Sequence, residues 1–301
     1  MQSVLSQELP ENLRLEVVVV VSDPASPVDV EAATRLAEDE RVSMLLAPRP
    51  GPAAARNSGI EAATGSIVAF IDDDCVAQSG WLSAAVGRLG DADLVQGRTE
   101  PADPVRLTDR TLWVSPPSWL WESCNLVVRR EAIDRSGMFD ESINPTGRIG
   151  GHFGEDIEWG WRLVRSGARP AFADEMLVLH AVEPGTLGRY LSEHARVRYF
   201  PQLLRLAPET RRHFFGGYFL NRRHAVITGC VVLLLASAVA AMRGQRGVAA
   251  AAGGVALVGY FAPPRRHPVP AAKEVGVRAL KEAVQFSHLL YASARWRRIL
   301  L

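Results

Sequence analysis

Residues 15–21 form an almost continuous β-branched run, the pattern of a strand buried in a parallel sheet. A surface-helix pattern follows at 29–39 and a second short strand pattern at 42–47. Residues 53–63 are Ala-rich and predict a helix that stops at Thr64 and Gly65. The short apolar strand predicted at 66–71 runs straight into three consecutive aspartates. Further along, 81–89 predicts a helix, 92–97 and 124–129 strands, and 155–166 a helix with Gly167 as its C′ stop. A last strand at 176–179 ends at His180, while 107–120, with Pro116, Pro117 and nearby tryptophans, reads as a loop crossing the site face. The alternation predicts an α/β fold with a mostly parallel, doubly wound sheet and helices on both faces. Such sheets bind ligands at the carboxyl ends of their strands, which is where the aspartates fall.

The rhythm then changes. Residues 225–242 and 247–262 are uncharged runs of 18 and 16 residues, separated only by Arg243, Gly244, Gln245 and Arg246. Each is shorter than the roughly 20 apolar residues of a full crossing. Together they predict a tight transmembrane hairpin or a pair of re-entrant helices; a buried helical pair in a soluble protein is the competing reading. Arg222, Arg223, Arg265 and Arg266 flank the pair and favour cytoplasmic ends, whereas Arg243 and Arg246 at the tip count against that orientation. Residues 271–294 predict an amphipathic helix with Val277, Leu280, Val284 and Tyr291 on one side. Trp296 among Arg295, Arg297 and Arg298 is a membrane-interface mixture. The organisation expected is a domain at 1–209, a basic linker and hairpin at 210–262, and a basic tail helix at 263–301.

Charge sharpens this division. The 301 residues are 48% hydrophobic and 22% charged, enough to bury a core, and the formal net charge is only +1. Up to Glu209 there are 20 Arg against 31 acidic residues, a net of −11, whereas from Thr210 there are 14 Arg and Lys against 2 Glu, a net of +12. An acidic body with a basic tail predicts contact with phosphate-rich material, membrane or nucleic acid. Cys75, Cys124 and Cys230 are odd in number and lack CxxC spacing, which disfavours a disulfide framework or a zinc site and fits a reducing compartment. The amino terminus lacks the basic start and apolar run of a signal peptide.

Chemistry concentrates at three places. Asp72, Asp73 and Asp74 repel one another unless neutralised, and a divalent cation bridging two phosphates does that. On an extended segment Asp72 and Asp74 share a face and Asp73 takes the other. An acidic turn capping the next helix explains the same triplet equally well. Glu155 and Asp156 open a helix, so Asp156 reads either as a cap or as a general base for an acceptor hydroxyl. His180, at a strand end, reads as a structural residue or as the completion of a metal shell. Trp119 and Trp121 read equally as core or as an aromatic wall for an acceptor sugar.

In order along residues 1–185, GPAAARNSGI (51–60), IVAFIDDDC (67–75), CNLVVRREAI (124–133), GMFDE (137–141), GEDIEWGWRLVRSG (154–167) and VLH (178–180) resemble the family 2 glycosyltransferases with their GT-A fold. The resemblance implies a DxD metal site at Asp72 and Asp74 with His180 as a further ligand, and carboxylate oxygens suit Mg²⁺ or Mn²⁺ as the cation. It implies Asp156 as catalytic base and places Arg56 and Asn57 by the nucleotide, with Asp73 assigned to donor binding beside them. One departure stands out: the chain opens MQSVLSQELP, which resembles the end of the helix after the family's first strand. That predicts a start codon placed too late or a truncated, inactive copy. Ser22-Asp23 stands where relatives often carry Asp-Asp beside the uracil ring, leaving base identity open.

The expected function is metal-dependent, inverting transfer of a sugar from a nucleotide-sugar to a hydroxyl of a lipid-linked or polysaccharide acceptor at the inner face of the cytoplasmic membrane. The expected partners are the donor, a glycan or lipid-linked acceptor and membrane lipid, with no nucleic acid. A non-catalytic membrane scaffold and a sugar nucleotidyltransferase are the alternatives, although no Gly-rich loop for the latter is visible.

Overall fold

Five consecutive valines, Val17–Val21, make β1, because their branched side chains favour extended backbone and pack well on a pleated surface. In the computed structural model, which describes residues 1–22, 34, 39–116, 118–143, 153–247, 250 and 272–301, β1 pairs in parallel with β2 (Val42–Leu46). A short helix, α1 (Gln2–Leu5), precedes them, and α2 (Pro52–Ala62) follows with Gly51 as its N-cap at φ +121°. The next elements are β3 (Ile67–Ile71), β4 (Cys75–Ala77), α3 (Trp81–Arg88), β5 (Leu94–Pro101) and β6 (Asn125–Arg129). Then come α4 (Arg130–Ser136), α5 (Glu155–Arg165), β7 (Pro170–His180) and α6 (Leu187–His194). The expected helix at 29–39 lies outside the described residues apart from Thr34 and Asp39, as does Asp23.

The α/β class is as expected, and the strand directions are more mixed than the alternation predicts. The larger sheet has the order β3-β6-β5-β7-β4, with β5–β7 parallel and β3–β6, β5–β6 and β4–β7 antiparallel. A parallel neighbour needs a crossover of about a dozen residues. β6 follows β5 without a crossover helix among the described residues of the connection, and it pairs antiparallel with both β5 and β3.

β6 lies mid-sheet with Leu126, Val127 and Val128 fully buried, and α3 lays Trp81, Leu82 and Ala85 into the core. Asn125 ties three elements together there. Its Oδ1 accepts from the Trp81 indole at 2.8 Å, and its Nδ2 donates to the carbonyls of Arg98 and Met176, each at 2.8 Å. Gly97 makes room for it, since a Cβ there would stand 2.4 Å from Asn125 Nδ2, and the β5–β7 register shifts between Gly97 and Arg98. On the other flank, Arg162 of α5 donates to the carbonyls of Ser136 and Met138, both at 2.7 Å, and Trp159 stacks on Phe139 with centroids 4.1 Å apart. These contacts fix the amino end of α5, where Glu155 and Asp156 lie.

The described residues divide into two units, Met1–Glu193 and His194–Leu301. Within the second lie α7 (Phe200–Leu206), α8 (Arg222–Met242) and α9 (Ala272–Trp296). By length and composition α8 is able to cross a membrane, and little of it is buried within its unit. Most of the second uncharged run, 247–262, with Arg265 and Arg266, lies outside the described residues. The buried side of α9 differs from the predicted apolar side. Glu282, Gln285, Leu289 and Ala292 are buried, whereas Leu280 and Tyr291 are exposed. Polar residues take the inside because they have partners: Glu282 pairs with Arg223, and Gln285 Oε1 lies 3.3 Å from His224 Nε2.

Candidate active site

β3 delivers the three aspartates at its carboxyl end, and the chain turns at once, with Cys75 N–H donating to Asp72 C=O at 3.2 Å. The segment is therefore a turn rather than the extended stretch expected. Asp73 is exposed while Asp72 and Asp74 are partly buried, and the latter two face different partners. Asp72 Oδ1 lies 3.9 Å from Arg56 Nη2, and Asp74 Oδ2 lies 3.5 Å from His180 Nε2.

Arg56, on α2, is the hub. Its Nη1 donates to Asp156 Oδ1 at 2.7 Å and to Glu155 Oε1 at 3.2 Å. One guanidinium thus neutralises carboxylates from the end of β3 and the start of α5, as its planar fork allows. Asp156 Oδ2 also accepts from Ser123, through the backbone N–H and the hydroxyl, each at 3.1 Å. A carboxylate offers about four lone-pair sites. Among the described residues three are taken, which leaves one on Oδ1.

Burial pushes Asp156 up to about 6; Arg56 and the Ser123 hydrogen bonds pull it down, and Glu155 adds to the rise. Asp72 is also raised, first by burial, with Asp156 and Asp74 reinforcing the rise and Arg56 opposing it. Glu122, which the sequence reading passed over, is pushed up to about 7 by burial. The Ser118 hydroxyl donates to its Oε2 at 3.1 Å. Glu122 and Ser123 belong to no motif that marks them as functional, and only the fold carries them to Asp156.

Asn57, expected beside the nucleotide, has both ends of its amide engaged by its own chain. Nδ2 donates to Phe139 C=O at 3.0 Å and to Glu141 Oε1 at 2.9 Å, and Oδ1 accepts from Phe139 N–H at 2.9 Å. It supports a segment that, with residues 49–54 and Glu155, lines an open cleft of about 550 Å³. Trp121 is core rather than wall: it is buried, lies edge-on to Trp161 at 5.9 Å, and needs Gly160 beneath it. Trp119 is half-buried, and its carbonyl accepts from the Trp161 indole at 3.2 Å.

The domain described as glycosyl transferase family 2 matches residues 1–153, half of the chain. This chain belongs to that family. Among curated relatives, the pre-mycofactocin glycosyltransferase of Mycobacterium tuberculosis is 33% identical over 181 residues, covering 54% of this chain and 37% of that protein. Glycosyltransferase AglE of Haloferax volcanii is 28% identical over 212 residues, covering 65% of this chain and 66% of that one. The chain thus spans only part of the length of either relative. A mannosyltransferase from Pyrobaculum calidifontis, solved with GDP-mannose and Mn²⁺, superposes with a TM-score of 0.54 at 18% identity, covering 98% of this chain and 81% of that one. That likeness shows the GT-A fold.

A cation implied by this family fits the residues present. His180 Nδ1 lies 2.8 Å from the Ala181 carbonyl, which can only accept, so Nδ1 carries the proton. With Nδ1 donating, Nε2 is the ring atom turned toward Asp74 Oδ2, 3.5 Å away. A partly buried carboxylate and a buried ring nitrogen facing each other at that distance form a pair of donor atoms that a cation can bridge. Cys75 joins Asp74 and His180 as the third member of this group.

Because Arg56 is the chief pull downward on Asp156, Arg56→Met is expected to lift the Asp156 midpoint above about 6. Carboxyl-carbon NMR on aspartate-labelled protein reads this directly, and Arg56→Lys, which keeps the charge, gives a smaller rise. A midpoint that stays put or falls in Arg56→Met contradicts the electrostatic account.

Proposed function

We propose that this chain transfers a sugar from a nucleotide-sugar donor to a hydroxyl acceptor in one displacement, with inversion at the anomeric carbon. The observation that carries the reading is the state of Asp156: raised to about 6, fixed by Arg56 and Ser123, and holding one open lone pair on Oδ1. A carboxylate with that affinity is charged at neutral pH yet a stronger base than an ordinary aspartate. It takes the proton of the acceptor hydroxyl as that oxygen attacks the anomeric carbon, and the bond from that carbon to the diphosphate breaks on the opposite face. A divalent cation at Asp74 and His180, when bound, supplies charge to the departing diphosphate. Arg56, between Asp72 and Asp156, keeps the aspartates of the cation side and the base side in register.

The cleft of about 550 Å³ beside Glu155 is of a size that suits a nucleotide-sugar, and we assign the donor to it. Support for a nucleotide-sugar comes from family membership and from the GDP-mannose in the Pyrobaculum enzyme. We further infer that the acceptor is lipid-linked or a growing cell-envelope polysaccharide and that transfer takes place at the cytoplasmic face of the membrane. The length and apolar surface of α8, the net charge of +12 from Thr210 onward, and the exposed Leu280 and Tyr291 of α9 support this placement.

Replacing Asp156 by Asn keeps the size of the side chain and its contacts with Ser123 but removes the base. Donor binding is expected to survive while turnover falls by roughly two to four orders of magnitude. In the wild type, turnover falls about tenfold per pH unit below about 6, as Asp156 takes up its proton. Wild-type turnover in the Asn variant, or a rate flat through that pH range, places the base elsewhere.

The membrane reading has its own measurement. The full chain is expected to sediment with membranes and to stay there through high salt and alkaline carbonate, because α8 sits in hydrocarbon rather than on headgroups. Release by salt alone reduces the attachment to the basic surface and contradicts an inserted α8.

A further inference from the structure

Cys75 and His180 are direct partners across the β4–β7 ladder, so the register itself puts both side chains on one face of the sheet. Both are buried, at 6% and 2% exposure. Asp74 precedes Cys75 in the turn, and its carboxylate reaches both neighbours: Oδ1 is 3.8 Å from Cys75 Sγ, and Oδ2 is 3.5 Å from His180 Nε2. One ligand atom from each of the three residues lies within 4.8 Å of the others. Around a tetrahedral zinc ion, with bonds of about 2.0–2.3 Å, neighbouring donor atoms stand roughly 3.3–3.8 Å apart. Both contacts fall in that range, each through a different oxygen of Asp74.

We propose that the Cys75 thiolate is a third protein ligand to the cation held by Asp74 and His180, and that the site prefers a thiophilic divalent cation, Zn²⁺ or Co²⁺, over Mg²⁺. This rests on the reading of Asp74 and His180 as cation ligands. Mg²⁺ demands oxygen donors in near-octahedral array, whereas a mixed oxygen, nitrogen and sulfur set suits softer ions. On binding, the thiol proton leaves to solvent and the cation compensates the thiolate charge. Three protein ligands leave a fourth position open, as in catalytic zinc sites, and a diphosphate oxygen of the donor fits it. The outer shell is already built. Ala181 fixes the His180 ring, and buried Cys124, 3.7 Å from Thr99 Oγ1, belongs to the same core cluster as Cys75. The cysteine spacing argues against a structural zinc site made of cysteines alone; the site here instead draws one cysteine from β4 and one histidine from β7, a pairing that chain spacing does not display.

Titrating the purified full-length protein with Co²⁺, and recording its absorption, tests the proposal without any sugar. One Co²⁺ per chain is expected, with a near-ultraviolet thiolate-to-cobalt charge-transfer band. Cys75→Ser is expected to abolish the band and to weaken binding by more than the roughly 10–100-fold that losing an outer-shell partner costs. Cys124→Ser and Cys230→Ser keep the band, Zn²⁺ displaces the cobalt, and a large excess of Mg²⁺ does not. Binding that needs Asp74, judged by its loss in Asp74→Asn, but shows no charge-transfer band overturns the Cys75 assignment and leaves the Asp74–His180 site standing. Absent binding, or binding indifferent to Asp74→Asn, overturns both.

Discussion

The site is organised by one partly buried positive charge. Asp72, Glu155 and Asp156 come from the end of β3 and the start of α5, and their mutual repulsion in a partly desolvated place is unfavourable without Arg56 among them. α2, entered through Gly51, presents that guanidinium, and Asn57 on the same helix fixes the 139–141 segment. Phe139 of that segment stacks on Trp159 of α5, so the helix that carries Arg56 and the helix that carries Asp156 are packed through one loop. Electrostatics and packing therefore impose the same geometry, which is the condition for a rigid site.

In the mechanism we propose, the arrangement separates two chemical tasks. On one side of Arg56, Asp74, Cys75 and His180 gather lone pairs with no proton of their own to share once the thiol is ionised, a setting for a cation. On the other, Asp156 has burial to raise its proton affinity and three hydrogen bonds to aim it. Glu122, pushed up to about 7 chiefly by burial with Asp156 adding to the rise, belongs to the same neighbourhood.

Much of this was legible in the chain. The apolar runs placed β1, β3 and β6 to within two residues, because a short continuous apolar run reads as a strand, although of the three only β6 is buried along almost its whole length. The spacing of the aspartates and of the Glu155–Asp156 pair was visible for the same local reason. What could not be read was register. That Cys75 faces His180, that Ser123 reaches Asp156, and that Asn57 spends its amide on Phe139 all depend on contacts between residues 33 to 105 positions apart. The mixed strand directions were hidden because alternating helices and strands suit parallel and antiparallel neighbours alike when connections vary in length. On α9, apolar periodicity named the wrong inner face because Arg223 and His224 supply partners that make burying Glu282 and Gln285 acceptable.

Single displacement at the anomeric carbon is the centre of the account, and it can be examined before any acceptor is known. The purified chain, given a divalent cation and a panel of α-linked UDP- and GDP-sugars, should slowly pass the sugar of its true donor to water. Proton NMR recorded before mutarotation identifies the anomer that forms first. The account predicts the β-sugar, released together with nucleoside diphosphate. The α-sugar appearing first, or no donor in the panel being consumed, would contradict it.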